Sequence, residues 1–302
     1  MKGALFLVLF AANLTQARAE VRVTDDGGQT LRLARPAKRV ISLAPSVTEM
    51  VYEAGGGGLL VGTVEYSDYP PAARALPRVG GNQRLDLERI ASLKPDLVIV
   101  WFHGTASREV AQLAALGLPI FHLEPRRIED VPDALERLGQ LLDTGPAARK
   151  AAERFRARYA DLRQRYAGRS RLSVFYQVAD SPLLTINDKQ LISDVIRLCG
   201  GRNVFGQESA LVPQVSTESV VAANPDVILT ASFVGSNVDG VQPLRAPGHA
   251  GLARWQAFSA MKAVRTGQLW VIPANPISRQ GPRILDGLQA VCTALDEARK
   301  GK

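Results

Sequence analysis

Two glutamates stand at the same place in two copies of one motif. LERIASLKPDLVIV at 87–100 and TESVVAANPDVILT at 217–230 each read as an acid, an apolar helical stub, Pro-Asp and a buried apolar run. Glu88 … Pro95-Asp96 and Glu218 … Pro225-Asp226 are therefore 130 positions apart. Asp86 and Ser216 are suited to cap the two helices, which puts both carboxylates at the second helical position. The unpaired N–H groups of a helix start attract negative charge there. That attraction alone accounts for an acid at both places, and the residues by themselves do not exclude a second role.

Other side chains able to bind or react are scattered. Tyr66, Tyr69 and Trp101 sit at the ends of apolar runs, and there are three histidines, His103, His122 and His249. His122, inside IFHLE, reads as structural; His249, in a Gly/Pro-rich stretch, reads as solvated; His103 lies two residues beyond Trp101. Three histidines so dispersed do not make a metal-ion site. The chain has no G-x-x-x-x-G-K-[ST], H-E-x-x-H, G-x-S-x-G or C-x-x-C, so the signatures of nucleotide, zinc-protease, hydrolase and dithiol chemistry are missing. Gly55–Gly58 does not follow a strand as a dinucleotide fingerprint would. With no recognisable nucleophile–base pair, no enzymatic activity and no cofactor are expected.

The elements that must position these residues follow from periodicity. Residues 20–36 alternate around Asp26-Gly27-Gly28 as a β-hairpin. RVISLAPSVTEMVYEAG predicts a strand over Val40–Leu43, a turn at Pro45-Ser46 and a helix from Thr48 to Ala54. LLVGTV, LVIVW and IFHLE read as strands separated by helices, which indicates a parallel α/β sheet. PDALERLGQLLDTG is an amphipathic helix. PAARKAAERFRARYADLRQRYAG is a second, with Pro146 in its first turn and Gly168 as its stop. Its roughly 22 residues would span about 33 Å, enough to bridge two domains. Alternation then restarts with LSVFYQVA, ISDVIRLCGG, the second Pro-Asp copy, a helix over WQAFSAMKAV, the strand GQLWVIPA and a final helix from Gly281. The repeat thus marks two similar Rossmann-like lobes, 20–143 and 169–302, joined by a helix at 144–168.

The ends and the composition narrow the setting. Lys2, the apolar stretch ALFLVLFAANL and Ala17-Arg18-Ala19 form a secretory signal at 1–19, with Glu20 first after cleavage. The 302-residue chain carries a net charge of +8; cleavage would remove Lys2 and Arg18 and leave +6. No aromatic-interleaved basic patch suggests nucleic acid. Cys199 and Cys292 are the sole cysteines, and in an exported chain an even count predicts one disulfide.

VTDDGGQTLRLARPAKRVISLAPSVTEMVYEAG, VGTVEYSDYPP, LDLERIASLKPDLVIVW, CGGRNVF, PQVSTESVVAANPDVI and GPRILDGLQAVCTAL together resemble the substrate-binding proteins of ABC importers for cobalamin, haem and ferric siderophores. The resemblance covers almost the whole mature chain. YSDYPP, the Trp that ends KPDLVIVW, and the cysteines of LCGG and AVCTAL fit the cobalamin-binding members. The resemblance implies a class III periplasmic binding protein, with two α/β lobes, one long connecting helix and a ligand cleft between them. It implies a periplasmic monomer that captures cobalamin (vitamin B12) or a related corrinoid as transported ligand. Such a protein delivers the ligand to the permease dimer of an ABC importer and meets the membrane only there.

Glu88 and Glu218 align with acids that, in this family, dock one lobe each into an arginine pocket of the permease. Tyr66 and Trp101 align with aromatic ligand contacts and Arg279 with a polar one; Asn275 replaces an Asp. Where cobalamin binders carry further aromatics, this chain has Asn82, Leu184 and Val212, and it extends the segment at 232–251. A haem or ferric-siderophore ligand is the alternative, with Arg279 and Arg283 pairing with its carboxylates. His103 is a candidate axial ligand to haem iron or to cobalt, and Tyr66 or Tyr69 to haem iron.

Overall fold

The computed structural model describes residues 20–81, 84–232 and 242–301. The expected export signal, Asn82 and much of the 232–251 extension lie outside them. The N-terminal lobe opens with the hairpin β1 (Val21–Thr24) and β2 (Thr30–Leu33). Asp25 Oδ1 accepts the N–H groups of Gly27 and Gln29 at 2.9 and 2.8 Å and so holds the turn. Then come β3 (Val40–Ser42), α1 (Pro45–Glu53), β4 (Leu60–Thr63), α2 (Leu87–Ser92), β5 (Leu97–Trp101), α3 (Ser107–Ala115), β6 (Ile120–Leu123) and α4 (Asp130–Leu142). The four strands form a parallel sheet in the order β4-β3-β5-β6.

Helix α5 (Gly145–Tyr166) crosses to the second lobe. There β7 (Leu172–Gln177), α6 (Leu191–Leu198), β8 (Gly201–Asn203), α7 (Thr217–Ala223), β9 (Val227–Ser232), β10 (Leu244–Arg245), α8 (Lys262–Arg265), β11 (Leu269–Pro273), α9 (Ala274–Ser278) and α10 (Ile284–Lys300) follow. The sheet order is β10-β11-β9-β7-β8, with β10 antiparallel at the edge and the other pairings parallel. Without β10, both sheets read second, first, third, fourth strand, so the lobes share one topology.

The repeated Pro-Asp has a structural reason in each lobe. Asp96 accepts Lys38 N–H at 2.9 Å and Arg39 N–H at 2.8 Å, just before β3. Asp226 accepts Ser173 N–H and Oγ, each at 2.8 Å, at the start of β7. Each carboxylate thereby sets the register of the third strand against the first. The residue before each proline, Lys94 or Asn224, has a positive φ (47° and 43°) that ends the preceding helix and turns the chain into the strand.

Some local expectations are corrected. Pro45 does not form a turn before the helix; it begins α1, where a missing N–H costs nothing. The single helix expected over 255–264 is a 3-10 stretch, Ala250–Ala257, then a break, then α8. Trp255 is fully buried with its Nε1 on Gln177 Oε1 at 2.8 Å, and Lys262 N–H is capped by Asn224 Oδ1 at 2.8 Å. Those two anchors pull the halves onto separate courses. The short β8, β10 and α9 leave too little periodicity to be read from sequence.

One apolar core runs through both lobes. It joins Val40 and Ile99 of the first sheet to Val174 and Ile272 of the second, by way of Leu138 of α4, Phe155 and Leu162 of α5 and Leu288 of α10. Gly139 lets α4 and α5 approach closely, since a Cβ there would lie 2.5 Å from that of Ala148. On the outer side of α5, Arg154, Arg156 and Arg158 pair with acids of α1, α4 and α10 respectively. Such exposed pairs contribute little each. Cys199 and Cys292, both fully buried, form a disulfide that ties the end of α6 to α10.

Candidate functional site

In open parallel sheets the ligand crevice lies at the carboxyl ends of the strands, and Tyr66 and Trp101 stand at two such ends. Tyr66 follows β4 with φ 62° and its ring largely exposed, at 72%. Its carbonyl accepts Arg279 Nη2 at 3.0 Å, so a residue of the second lobe holds the turn that presents the tyrosine. Trp101 ends β5, half-buried, and its indole Nε1 donates to Glu124 Oε1 at 2.9 Å. The chain turns tightly over the ring, because a Cβ at Gly104 would lie 1.8 Å from Trp101 Cε3. Beside it, His103 Nδ1 contacts Glu124 Oε2. Glu124 is buried at the end of β6, with its own N–H on Asp26 Oδ2 at 2.6 Å.

The second lobe offers an aliphatic wall. Val178 leaves β7 with its side chain exposed, and its N–H donates to Leu184 carbonyl at 2.8 Å. Leu184 bridges on to Gln214, and Thr185 N–H donates to Pro213 carbonyl at 3.0 Å, which brings exposed Val212 alongside. Asn275, half-buried, sits in α9 directly after β11. Tyr66 and Trp101 thus stand at strand ends of one lobe, and Val178, Leu184, Val212 and Asn275 beside strand ends of the other.

Arg279 and Arg283 are not free for an anionic ligand. Arg279 Nη1 lies 2.7 Å from Glu49 Oε1, and Arg283 donates through Nε and Nη2 to the same carboxylate at 2.9 and 2.6 Å. Glu49 is buried in α1 of the opposite lobe. Arg279 also reaches Asp68 Oδ1 at 3.1 Å, and the Arg283 guanidinium stacks on the Tyr69 ring at 3.9 Å. Burial alone would lower the Arg283 guanidinium, but its hydrogen bonds and charge pairing with Glu49 outweigh that and hold it above its ordinary value.

The other histidines have structural partners. His122 Nδ1 lies 2.7 Å from Asp25 Oδ2 in the hairpin turn. His249 is not simply solvated: its Nδ1 accepts Gly251 N–H at 3.2 Å and starts the 3-10 stretch. Among the described residues no cluster of three or more His, Cys, Asp or Glu is arranged to hold a metal ion.

Glu88 and Glu218 are exposed on α2 and α7. Asp86 accepts Arg89 N–H at 2.9 Å and Ser216 accepts Ser219 N–H at 3.1 Å, so both glutamates occupy the second helical position as the spacing predicts. Glu218's own backbone N–H and the Ser216 hydroxyl hold its carboxyl below the ordinary range. Sequence reasoning missed Glu49, Glu124 and Val178. The one available signal was an acid within the apolar run PSVTEMVYE and another closing the run IFHLE.

The model of the periplasmic binding protein family matches residues 40–276. The chain is 39% identical over 266 residues to the vitamin B12-binding protein of Vibrio cholerae serotype O1, covering 88% of this chain and 91% of the relative. The crystal structure of periplasmic vitamin B12 binding protein BtuF of Vibrio cholerae superposes with a TM-score of 0.78 at 39% identity, over 88% of this chain and 99% of that one. A periplasmic heme-binding protein, BhuT in complex with two hemes, superposes with a TM-score of 0.73 at 26% identity, over 86% and 98%.

Proposed function

Since the chain belongs to the periplasmic binding protein family, we propose that it captures cobalamin, or a related corrinoid, between its lobes and delivers it to an ABC importer. The observation that carries this reading is the 39% identity to a vitamin B12-binding protein along nearly the whole of both chains. The strand-end surface is chemically suited to the ligand. A corrin is a broad, partly apolar disc fringed with amides, and Tyr66, Trp101, Val178, Leu184 and Val212 offer apolar contact while Asn275 offers donor and acceptor. Arg279 acts on this surface through Tyr66, whose carbonyl it holds, rather than as a free ligand group.

Delivery is assigned to Glu88 and Glu218, one exposed carboxylate per lobe, each meeting basic side chains of one permease subunit. Charge pairing of this kind raises encounter rate and fixes orientation. The carrier works as a monomer after removal of residues 1–19, and the importer supplies the energy. The haem alternative is weakened by Glu49, which already pairs with the two arginines that would meet propionates.

The test is a titration of the purified mature protein with cyanocobalamin, followed by tryptophan fluorescence, with haemin in parallel. Saturable 1:1 quenching by the corrinoid alone, weakened in Trp101→Ala, is the expected result. Saturation by haemin with no response to the corrinoid would overturn the cargo while leaving the fold and the family untouched.

A further inference from the structure

His103 differs from the other two histidines in what its ring is left free to do. Its Nδ1 faces Glu124 Oε2, and a buried carboxylate can only accept, so Nδ1 carries the hydrogen. In the neutral ring Nε2 is then the basic nitrogen, and the side chain is 47% exposed. A carboxylate behind one imidazole nitrogen is the arrangement that orients histidine toward a metal and raises its basicity. The ring is also fixed in place. Glu124 holds Trp101 with its other oxygen, the edge of Phe102 packs on the imidazole at 4.7 Å between centroids, and Gly104 closes the turn over the indole.

His249 is disposed the other way, since its Nδ1 accepts a backbone N–H and the hydrogen of the neutral ring sits on Nε2. His122 shares the carboxylate pattern through Asp25, but its side chain is only 20% exposed and the Phe102 ring packs against it at 5.3 Å. His103 is therefore the histidine with an accessible, carboxylate-oriented lone pair, and it adjoins Trp101 at the strand-end surface.

We propose that His103 Nε2, supported by Glu124, ligates the metal of the bound macrocycle by taking the exchangeable axial position of a cobalt(III) corrinoid. This rests on the corrinoid reading above and deepens it. The step is a ligand substitution. The Nε2 lone pair forms the Co–N bond, the coordinated water leaves with its own electron pair, and cobalt stays trivalent. No proton moves, because Nδ1–H remains on Glu124. The site then favours corrinoids with a labile axial ligand over those in which cyanide blocks that position.

The experiment compares aquocobalamin and cyanocobalamin on the mature protein by visible absorption and by affinity, with aquocobalamin in excess imidazole as the spectral reference. The expected result is that cyanocobalamin binds with its bands unmoved, whereas bound aquocobalamin takes on the imidazole-ligated spectrum. In His103→Gln that shift is lost, and the ratio of aquocobalamin to cyanocobalamin affinity falls by roughly 10-fold or more. In Glu124→Gln the ratio falls by a smaller factor. If both corrinoids bind and the aquocobalamin bands stay where water ligation puts them, the ligation is overturned and the carrier reading stands. If the shift persists in His103→Gln, the assignment to His103 is overturned. If neither corrinoid binds to protein of intact circular dichroism and melting temperature, both readings fall.

Discussion

Glu49 Oε1 lies 2.7 Å from Arg279 Nη1 across the boundary between the lobes, although the two residues are 230 positions apart. Arg283 shares the same carboxylate. One buried acid thus pairs with two nearly buried guanidiniums, and Asp68 is a more exposed second partner for Arg279. Removing one partner of such a cluster leaves uncompensated charge inside. Glu49→Ala is expected to destabilise the protein by about 3–5 kcal/mol, read as a lower denaturation midpoint at unchanged slope. A loss under about 1 kcal/mol would mean that water reaches the two arginines freely.

Glu88→Arg combined with Glu218→Arg is expected to abolish corrinoid uptake by cells while leaving the affinity of the purified protein for cyanocobalamin unchanged. Both side chains are exposed. The measurement pairs a growth or uptake assay with a binding titration. Full uptake by the double variant would remove the docking role and return both acids to their part in stabilising the helix starts.

Titration of Glu218 offers an independent check of the cap. Its carboxyl is held below the ordinary range by its own N–H and by Ser216. A carboxyl depressed in the folded state contributes stability that is present above its unfolded pKa and lost as pH falls through the folded one. Ser216→Ala is expected to move the Glu218 pKa back up toward the ordinary value, which nuclear magnetic resonance titration of its side-chain carbon reads directly. An unmoved titration would mean that the backbone N–H alone sets the charge.

The disulfide predicts both a mass and a stability. Protein isolated under oxidising conditions is expected to weigh two hydrogens less than its reduced form. Cys199→Ala with Cys292→Ala should cost about 2–4 kcal/mol, because the bridge closes a segment with a sequence separation of 93. Chemical denaturation of the double variant measures it, and unchanged stability would mean that the unfolded chain gains little freedom from the loss.

The parts of this molecule legible in sequence are those with local causes. The hairpin follows from alternation around Asp26-Gly27-Gly28, α5 from Pro146 and Gly168, and the paired lobes from a Pro-Asp unit whose aspartates hold the starts of β3 and β7. Glu49 and Glu124 were illegible because their partners are brought to them by the fold. Arg279 lies in the other lobe, 230 positions on, and Trp101 and His103 belong to the neighbouring strand and its loop. Reading Arg279 as a ligand contact relied on its position in a motif, and motif position does not reveal that the charge is already paired. Val178 gave no signal, since an apolar residue after a buried strand reads as more strand.

The core shared by the two lobes also decides what would happen if the gene were cut in two. A break inside α5 would leave each fragment with an open apolar face, because Ala148, Phe155 and Leu162 sit in one cluster with residues of both sheets. Neither piece would be a free-standing module, and their reassembly would require both at once. A split reporter built on this scaffold would therefore respond to the meeting of its halves, and should be divided at the linker helix rather than at either strand-end surface.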